Sequence, residues 1–311
     1  MDPLHSGVSL FWARILRPDL SNLGYRGRMS QTPAPYVETD PLPKPARGAL
    51  RLVTWNINSV RLRLPLVAKL VAQARPDILC LQETKCPDDQ FPHDGLAELG
   101  FMHRYAHGMK SYNGVAILSR VPILSPAPLH HCGREDCRHA SAELPGGIAL
   151  HNVYVPAGGD VPDPIANDKF KHKLDFVAAQ TAVWKKRGRK GSAILVGDLN
   201  IAPCETDVWS HKQLLDVVSH TPVEVAALGG MQAAGGWVDV ARLRHPQPER
   251  LYTWWSYRNG DWRKSDRGRR LDHIWVTPDL ASKIKAFHIL RGARDWTQPS
   301  DHVPVAIDFV P

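Results

Sequence analysis

From residue 50 onward, short apolar runs rich in Val, Ile and Leu alternate with segments that contain Gly, Pro and Asn. Runs of this length and composition are typical of buried β-strands. Leu66, Leu70 and Ala74 instead recur every four residues, and residues 168–186 place apolar side chains on one helical face. The predicted strands lie at residues 50–57, 78–82, 114–119, 148–155, 193–196, 271–276 and 303–309. The chain is therefore predicted to combine strands with helices.

This many strands can be accommodated if two β-sheets pack face to face with helices outside them. Hydrophobic residues make up 43% of the chain and charged residues 23%, as in an ordinary globular protein. That composition excludes a disordered, collagenous or coiled-coil chain. After residue 48 the sequence contains no internal repeat and no second linker. We therefore predict one α/β domain over residues 49–311.

Residues 1–48 differ from this pattern. Small polar residues and scattered arginines are interrupted by Pro33, Pro35, Pro41, Pro43 and Pro45. This composition predicts a disordered N-terminal extension. A targeting peptide is one alternative, although Asp2 and Asp19 interrupt its basic character. Another alternative is that translation starts at Met29, in which case the first 28 residues would not belong to the protein.

The charge and the cysteines limit the partners and the redox environment. Lys and Arg number 39 against 31 Asp and Glu, and the resulting charge of +8 favours a polyanionic partner. The ten tryptophans supply flat rings for contacts or for a deep core. Five cysteines, an odd number, indicate reduced thiols rather than a disulfide framework. No apolar run approaches the ~20 residues that span a bilayer, so we expect no membrane segment.

Polar side chains with chemical function stand at the ends of the predicted strands. They are Asn56 and Asn58, Glu83, Asp198 and Asn200, Asp272, and Asp301 with His302. Taken singly, each of these residues could have a purely structural role, as a solvated side chain, a loop cap or part of an Asx turn. Because they recur in five separate clusters, we expect them to converge on one site.

Four carboxylates brought together at strand ends would repel one another unless a cation or hydrogen-bond donors stabilised their negative charge. Carboxylate and amide oxygens suit a hard divalent ion such as Mg²⁺ or Mn²⁺. No cysteine occurs at these positions, which argues against structural zinc. The set also lacks an obvious Ser or Cys nucleophile. It therefore favours metal-assisted hydrolysis by water.

Seven segments occur in the order found in the exonuclease III family of apurinic/apyrimidinic (AP) endonucleases, within the endonuclease/exonuclease/phosphatase superfamily. They are TWNINSVR at residues 54–61, LQETK at 81–85, GVAILS at 114–119, VGDLN at 196–200, YTWW at 252–255, RLD at 270–272 and SDH at 300–302. The sequence resembles the bacterial exodeoxyribonuclease III branch in particular. The resemblance spans residues 50–311.

The resemblance implies a four-layer α/β sandwich and a Mg²⁺-dependent DNA-repair phosphodiesterase, with Mn²⁺ as a substitute ion. The implied activities are incision 5′ to abasic sites, 3′–5′ exonuclease activity, and 3′-phosphodiesterase or phosphatase activity in base excision repair. The implied partner is double-stranded DNA, especially abasic or 3′-blocked DNA, and not a membrane. The resemblance further implies a monomeric, cytoplasmic bacterial enzyme that meets its substrate at the nucleoid.

The metal site implied by the resemblance has Glu83 as its principal ligand. The expected members of that site are Asn56, Glu83, Asp198, Asn200, Asp301 and His302. A metal ion at this position would stabilise the departing 3′ oxygen as a Lewis acid.

The resemblance also implies a set of catalytic roles. Asp198 would orient or deprotonate the attacking water with the help of Asn200. His302, paired with Asp272, would hold and neutralise the scissile phosphate, and Tyr154 would donate to a phosphate oxygen or to the leaving group. These roles suit the chemistry, since phosphodiester cleavage adds negative charge to a phosphoryl group. An unperturbed Asp is a weak base, so Asp198 would mainly position the water unless its neighbours raise its pKa.

DNA contacts are expected from a further set of residues. They are Arg61, Lys85, Tyr112, Trp254, Arg258 and Arg269. Arg61 matches a phosphate-contacting arginine of the family, and the others lie in segments that approach the DNA there. A basic run over residues 263–270 stands beside several tryptophans, which favours contacts to phosphates and rings. The alternative is a solvated charged loop that covers core tryptophans.

Two positions depart from the family pattern. Arg269 stands two residues before Leu271, where relatives often carry an apolar or aromatic side chain that lines the pocket for the abasic sugar. Trp254 retains the other wall of that pocket. Ala157 occupies a position where relatives often carry an amide that donates to phosphate. We therefore expect the DNA activities to be balanced differently from those of the relatives.

Histidines and cysteines cluster between residues 130 and 139. They are His130, His131, Cys132, Cys137 and His139. Such a group could bind a transition metal, but the two cysteines are spaced more widely than in many zinc knuckles and no second pair follows. We predict a surface loop with free thiols.

Two other classes of function remain open at this point. One keeps the fold and the metal site but acts on another substrate, as inositol-phosphate phosphatases, sphingomyelinases and RNA deadenylases of the same superfamily do. The LQETK and RLD segments and the basic charge favour DNA over these substrates. The other class is a binding module that has lost catalysis, and the complete set of polar residues at the strand ends argues against it.

Overall fold

Two six-stranded β-sheets lie face to face in the computed structural model, which describes residues 35–188 and 190–311. In spatial order the first sheet contains β13 (Ile284–Ile289), β14 (Val305–Phe309), β1 (Leu50–Asn56), β2 (Ile78–Gln82), β4 (Val115–Ser119) and β3 (His103–His107). The second contains β5 (Leu124–Pro128), β6 (His139–Leu144), β7 (Ile148–Tyr154), β8 (Ala193–Asp198), β12 (Asp272–Val276) and β9 (Val238–Asp239). β10 (Trp254–Trp255) and β11 (Gly268–Arg269) form a separate antiparallel pair.

Helices flank the two sheets. They are α1 (Leu64–Ala74), α2 (His93–Glu98), α3 (Asp168–Arg187), α4 (His211–Leu214), α5 (Pro222–Gly235), α6 (Val240–Arg244), α7 (Trp262–Ser265) and α8 (Pro278–Ala281). Short 3₁₀ helices cover Asp88–Gln90, Glu205–Asp207 and Arg291–Asp295. None of the described helices combines the length and the apolar character needed to cross a membrane. The architecture confirms the predicted four-layer α/β sandwich.

The main core lies between the two sheets. Leu52 and Ile78 of the first sheet and Ile194 and Ile274 of the second have no exposed surface. Burial of each such side chain contributes roughly 1.5–3 kcal/mol. A second core lies under α3 and α5, where Trp184 packs with residues of β7 and β8. These two cores hold the strand ends in fixed positions.

All seven predicted strands and both predicted helices are confirmed, with bounds that differ by at most two residues. The sequence did not predict the two-residue strands β9, β10 and β11, nor the longer strands β3, β5, β6 and β13. β3 and β5 lie at sheet edges, where a strand needs no continuous apolar run. β5 is exposed along its whole length, and two of its five residues are proline. β13 has the sequence IKAFHI, in which a register shift between Ile284 and Ala286 interrupts the alternation of apolar and polar residues.

Residues 35–48 differ from the predicted disordered extension. The Val37 amide donates to the Ile289 carbonyl over 2.8 Å, and the Leu42 amide donates to the Gln73 carbonyl over 2.8 Å. The Leu42 side chain is buried in the main core. This segment therefore packs against the first sheet and α1. Residues 1–34 of the predicted extension, together with Met29, lie outside the described residues.

The segment from His130 to His139 is a loop that leads into β6, but much of it is not at the surface. His131 and His139 are buried, and their rings stack at a centroid distance of 5.2 Å. Both contact the amide of Gln180 on α3. Cys132 is exposed as predicted, whereas Cys137 is buried. The prediction of a surface loop is therefore wrong for the inner histidines and for Cys137. None of the five cysteines forms a disulfide.

Candidate active site

Strand register brings the predicted catalytic side chains together. In the parallel pair β7–β8, Tyr154 is opposite Asp198, and in the antiparallel pair β8–β12, Asp198 is opposite Asp272. In the first sheet, Asn56 ends β1, and Glu83 directly follows the parallel neighbour β2. The carboxyl ends of parallel strands meet at one edge of a sheet. Each sheet therefore presents its share of the site at a single edge.

A buried amide, that of Asn152, joins the two sheets by hydrogen bonds near the candidate site. Asn152 of β7 accepts a hydrogen bond from Gln82 Nε2 over 2.7 Å. Its own amide donates to the carbonyls of Leu81 and Ala116, both at 2.9 Å. Buried amides without partners are costly, so the three hydrogen bonds of Asn152 fix the position of one sheet on the other. Glu83 and Tyr154, which follow these two strands closely, are thereby held at a constant separation.

Asn56 lies between the acids of the two sheets. Its Nδ2 atom donates to Glu83 Oε1 over 2.8 Å and to Asp198 Oδ2 over 2.9 Å. Glu83 Oε1 also accepts a hydrogen bond from the Tyr154 hydroxyl over 2.8 Å. Asn56, Asp198 and Tyr154 are buried, while Glu83 keeps partial exposure. The four side chains form one connected group whose open side is at Glu83.

Asp198 and His302 form the second half of the site. Asp198 Oδ1 accepts from the Asn200 amide over 2.9 Å, and Asp198 Oδ2 accepts from Asn200 Nδ2 over 3.1 Å. His302 Nε2 lies 3.6 Å from Asp198 Oδ2, and His302 Nδ1 lies 2.9 Å from Asp272 Oδ2. The Thr253 hydroxyl donates to the same Asp272 oxygen over 2.6 Å. His302 is thus held between two carboxylates.

Burial and close charges shift the titration of this group. Burial opposes the imidazolium, but Asp272 and Asp198 outweigh it and raise the pKa of His302 to about 10. Burial raises the pKa of Asp198 above its ordinary value, although the His302 charge opposes the shift. Burial and the neighbouring acids also raise the pKa of Tyr154 well above its ordinary value. The site therefore holds a cationic His302, a neutral Tyr154 and an unusually basic Asp198.

Glu83 behaves differently from Asp198. Its burial would raise its pKa, but the Lys85 ammonium and the Asn56 amide outweigh burial and lower it. The Lys85 ammonium lies 2.7 Å from Glu83 Oε2 and 2.6 Å from Asn58 Oδ1. Asn58 Nδ2 donates in turn to Asp301 Oδ1 over 3.3 Å. Glu83 is therefore an ionised carboxylate that already has a cation at its open side.

Asp301 closes the site on the side of the β10–β11 pair. Trp254 Nε1 donates to Asp301 Oδ2 over 2.9 Å, and Trp254 forms an isolated backbone bridge with His302. Asp301 therefore joins the group through Asn58 and Trp254 rather than by direct contact with Glu83. Sequence analysis placed Asn58 among the polar residues but gave it no role. Its position between Lys85 and Asp301 shows that it links the two ends of the site.

Several site residues have a left-handed backbone. The φ angle is +49° at Asn58, +52° at Glu83, +53° at Lys85 and +53° at Asn200. Non-glycine residues with positive φ are uncommon and cluster at functional sites. Each of these residues follows a strand within a few positions, so the turn directs its side chain back across the sheet edge. No sequence signal for Glu or Lys predicts this conformation.

The donor set fits a hard divalent cation. Oxygen atoms of Asp198 and Asp272 and a nitrogen of His302 lie within 4.8 Å of one another among the described residues. Asp272 Oδ1 is buried without a hydrogen-bond partner in the same part of the chain. One amide, that of Asn56, bonds to both Glu83 and Asp198, so like charges lie close together. Such a cluster of oxygens is a possible metal site.

The structure places the predicted DNA contacts in three settings. Tyr112 is 70% exposed and Arg258 is exposed, so both are free to meet a partner. Arg61 is exposed and donates to Gln90 Oε1 over 2.6 Å. Lys85 instead lies within the candidate site, where its ammonium contacts Glu83. The remaining two, Trp254 and Arg269, are partly buried beside Asp301.

Arg270 belongs to the core rather than to the basic DNA surface that the run over residues 263–270 predicted. Its guanidinium is buried and donates to both oxygens of Asp207, over 2.7 Å and 2.8 Å. A further ion pair joins it to Asp239 over 2.8 Å. Because paired acids satisfy this charge inside the protein, Arg270 is unable to contact a phosphate. The sequence prediction is wrong at this position.

A cleft of about 420 Å³ opens beside Tyr154. Its lining includes the basic side chains of Arg134, Arg138, Lys169 and His172 and the exposed ring of Tyr112. The Arg138 guanidinium lies 4.8 Å from the centre of the Tyr154 ring. A basic cleft next to a catalytic group raises the local concentration of polyanions. Sequence analysis missed Arg134, Lys169 and His172, because single basic residues far apart in sequence form no motif.

Lys173 is another residue that sequence analysis missed. It is fully buried on α3, and its ammonium pairs with the equally buried Glu224 of α5 over 2.5 Å. The same ammonium donates to the Asn200 carbonyl over 2.8 Å and to the Ala157 carbonyl over 3.2 Å. Lys173 therefore supports the backbone of Asn200 from behind. It stands three residues after Phe170 and four before Val177, on the buried face of the helix, where the apolar pattern gives no signal for a lysine.

A family-wide sequence pattern decides the classification. The pattern of the Endonuclease/Exonuclease/phosphatase family matches residues 53–302. The chain belongs to the Endonuclease/Exonuclease/phosphatase family. The match contains all the side chains of the candidate site from Asn56 to His302, so the family assignment and the geometry concern the same part of the molecule.

Individual members of the Endonuclease/Exonuclease/phosphatase family are similar over most of the chain. Exodeoxyribonuclease III of Haemophilus influenzae is 29% identical over 272 residues, which cover 84% of this chain and 100% of that protein. An AP endonuclease from Archaeoglobus fulgidus has a TM-score of 0.77 at 32% identity. The 3′-5′ exonuclease NExo from Neisseria meningitidis has a TM-score of 0.76 at 34% identity. Both structures cover 84% of this chain, which covers 99% of each.

NExo has also been solved as a 3′ phosphatase bound to a product DNA hairpin. As a member of the Endonuclease/Exonuclease/phosphatase family with these relatives, the chain is a nuclease-type hydrolase. The resemblance to exonuclease III-like enzymes predicted from the sequence is confirmed.

Proposed function

We propose that the chain is a Mg²⁺-dependent DNA-repair phosphodiesterase that incises duplex DNA 5′ to abasic sites. The proposal includes 3′–5′ exonuclease activity and the removal of 3′-blocking groups. The observation that carries it is the single amide of Asn56, which bonds to Glu83 of one sheet and Asp198 of the other. The relatives named exodeoxyribonuclease III, AP endonuclease and 3′-5′ exonuclease support DNA as the substrate.

In this proposal Asp198 accepts a proton from the attacking water. Asn56 and Asn200 fix the orientation of its two oxygens, and burial makes the carboxylate more basic than an exposed one by raising its pKa. A general base in this position contributes roughly 10²–10⁴-fold to the rate. The proton-acceptor role therefore belongs to Asp198 rather than to the more acidic Glu83.

His302 and Tyr154 act on the phosphoryl group. Asp272 orients the His302 ring through Nδ1, which leaves the Nε2 side to face Asp198 and a phosphate near it. The positive charge of His302 stabilises the negative charge that develops on the phosphoryl group during cleavage. Tyr154 keeps its proton because its pKa is raised, so its hydroxyl is able to donate to a phosphate oxygen or to the departing 3′ oxygen.

Glu83, Asn56 and Asp301 would hold the metal ion. When bound, Mg²⁺ would supply Lewis-acid stabilisation of negative charge on the 3′ oxygen. The Lys85 ammonium already lies 2.7 Å from Glu83, which supports a cation-binding role for that carboxylate. Both ring nitrogens of His302 face carboxylates, so we assign His302 to the phosphate. Asp198 and Asn200 complete the surroundings of the ion.

The protein should cut a duplex oligonucleotide that carries one abasic site when Mg²⁺ is present, and chelation should abolish the reaction. The expected product ends in a 3′ hydroxyl immediately 5′ to the abasic sugar, because the P–O3′ bond breaks. Denaturing gel electrophoresis of the end-labelled strand measures this. The control is the same duplex with an ordinary nucleotide at that position. If neither Mg²⁺ nor Mn²⁺ supports cleavage, the proposed endonuclease activity is excluded.

Glu83→Gln should weaken metal binding at least tenfold, since even second-shell ligands contribute 10–100-fold to metal affinity. The charge-neutral amide removes the carboxylate that faces Lys85 but keeps the size of the side chain. Calorimetric titration of the DNA-free protein with Mn²⁺ measures affinity, and the Mg²⁺ concentration for half-maximal cleavage gives a second value. Glu98→Gln, at an exposed position on α2, is the matched control. Equal Mn²⁺ affinity in Glu83→Gln and wild type would remove Glu83 from the metal site.

The proposal also concerns the setting of the enzyme. Double-stranded DNA, abasic or 3′-blocked, is the proposed partner, and the charge of +8 and the basic cleft beside Tyr154 support it. We propose that the protein acts as a monomer in the bacterial cytoplasm, as the resemblance to exodeoxyribonuclease III implies. Reduced cysteines agree with such a reducing compartment.

A further inference from the structure

Arg269 covers a surface at the edge of the catalytic group. Its Cζ atom lies 5.3 Å from the centre of the Trp254 ring, in a cation–π arrangement. That ring donates its N–H to Asp301 over 2.9 Å, and the Trp254 backbone bridges to His302. The guanidinium of Arg269 is therefore separated from Asp301 by a single indole. A chemical group that extends from the catalytic centre over Trp254 meets a cation instead of a bare aromatic face.

The position of Arg269 is fixed by the protein. Its Nη1 atom donates to the Val218 carbonyl over 2.9 Å and to Ser219 Oγ over 2.7 Å. The Ser219 amide in turn donates to both oxygens of Glu224 at 2.9 Å. These contacts tie Arg269 to the segment that precedes α5. A guanidinium held by two hydrogen bonds at Nη1 keeps a fixed position over Trp254.

The charge of Arg269 has no acidic partner. In the described part of the chain it forms no ion pair with a carboxylate, unlike Arg270, which has two. Its Nε atom is buried and lacks a hydrogen-bond partner among the same residues. The nearby carboxylate of Glu224 acts on Arg269 but is ion-paired with Lys173. A partly buried cation without an ion pair of its own is costly unless an anion approaches it. The arrangement is that of a site for negative charge.

We infer that Arg269 sets a preference for DNA ends that carry a 3′-phosphate over internal abasic sites. This inference rests on the proposed function and concerns the substrate class of the same site. A terminal phosphate monoester carries a charge of about −2 at pH 7, whereas a backbone diester carries one negative charge and a bulky sugar. The guanidinium of Arg269 attracts the additional negative charge of the monoester. It also occupies the face of Trp254 on which a neutral sugar would otherwise lie.

The reaction on the 3′-phosphate is balanced without any further reagent. A water oxygen attacks phosphorus, and the bond between phosphorus and O3′ breaks with its electron pair on O3′. The proton lost by the water passes to Asp198, and O3′ takes a proton from Tyr154 or from solvent. The products are inorganic phosphate and a 3′-hydroxyl end. Arg269 takes no part in the proton transfers, so it is a specificity-determining residue and not a catalytic one.

Arg269→Leu should change the ratio of two kcat/KM values by at least tenfold. One value is for release of phosphate from a nicked duplex with a 3′-phosphate, and the other is for incision of the same duplex with an internal abasic site. The 3′-phosphate value should fall about tenfold or more, since a hydrogen bond to a charged group contributes at that order. The abasic value should stay constant or rise, because the leucine exposes more of the Trp254 face.

Arg269→Gln and Arg47→Leu complete the experiment. The glutamine keeps an amide donor for Val218 and Ser219 but removes the charge, so it should lose the 3′-phosphate preference even if the leucine variant folds poorly. Arg47 is exposed and distant from the site, so its replacement should leave both values unchanged. A ratio within twofold of wild type in both Arg269 variants would overturn the inference. Failure of the wild-type protein to cut either substrate would instead overturn the proposed function.

Discussion

Asp198→Asn should lower the rate of DNA cleavage by roughly 10²–10⁴-fold, the contribution of a positioned general base. The carboxylate accepts hydrogen bonds from Asn56 Nδ2 at 2.9 Å and from Asn200 Nδ2 at 3.1 Å. Both of these donors reach Oδ2, and the Asn200 backbone N–H donates to Oδ1. An amide has one acceptor oxygen, so its NH₂ group would face a donor at one of these two positions. It also lacks the charge that draws a proton from water. Single-turnover cleavage of the abasic duplex measures the loss, with saturating protein so that only the chemical step is observed.

Binding should survive this change. Arg61, Tyr112 and Arg258 lie outside the catalytic group, so the dissociation constant from fluorescence anisotropy should remain within about threefold of wild type, less than 1 kcal/mol. Asp175→Asn is the matched control, since Asp175 is exposed on α3 and contacts only Lys171 among the described residues. A cleavage rate in Asp198→Asn within tenfold of wild type would contradict the assignment of Asp198. Wild-type binding with no cleavage by any variant or by wild type would instead favour a binding module.

Lys173→Met should destabilise the protein by about 3–5 kcal/mol, since removal of one member of a buried ion pair leaves the other charge uncompensated. This is a large share of the 5–15 kcal/mol that stabilises a typical domain. Lys173 and Glu224 both have fully buried side chains. Glu224 also forms the capping box of α5 with Thr221, so its charge has no route to solvent in the folded state. Urea unfolding at pH 7 measures the change.

The double variant Lys173→Met/Glu224→Gln separates charge from packing. Because the glutamine removes the uncompensated charge, the double variant should recover part of the lost stability. Lys171→Met is the control: its ammonium pairs with Asp175 at the surface, where such a pair contributes about 0–1 kcal/mol. If Lys173→Met were as stable as Lys171→Met, the buried pair would have no structural role, and support of the Asn200 backbone would need another explanation.

Some of the site could be predicted from the sequence because the chemistry is concentrated in short segments. Asn56, Glu83 and Asp198 each follow or end an apolar strand, and strand ends are where a sheet presents polar groups. Lys173 could not be predicted in this way, because a lysine is ordinarily solvated even where it stands between Phe170 and Val177 on one helix face. α5 packs over that face of α3 and buries it. Only the packing of two helices distant in sequence reveals the pair.

Arg269 and Arg270 illustrate the same limit within one segment. Adjacent arginines in a basic run are equivalent in the sequence. Yet Arg269 covers Trp254 and forms no ion pair with any described carboxylate, whereas Arg270 is buried against Asp207 and Asp239. Successive residues of an extended chain point to opposite sides. The run therefore divides between the core and the site, and the sequence alone does not assign which residue goes where.

By itself, the sequence determined the main strands and helices and the acids and amides at the strand ends, because apolar periodicity and residue type are local properties. The two packed sheets were implied by the resemblance to the exonuclease III family. The tertiary structure decided which of those groups meet: Asn56 between Glu83 and Asp198, His302 between two carboxylates, and Asn152 across the sheets. It also decided which charges are paired and which remain free. Distances and burial depend on segments far apart in the chain, and the electrostatic energy of a group follows from those distances and from its burial.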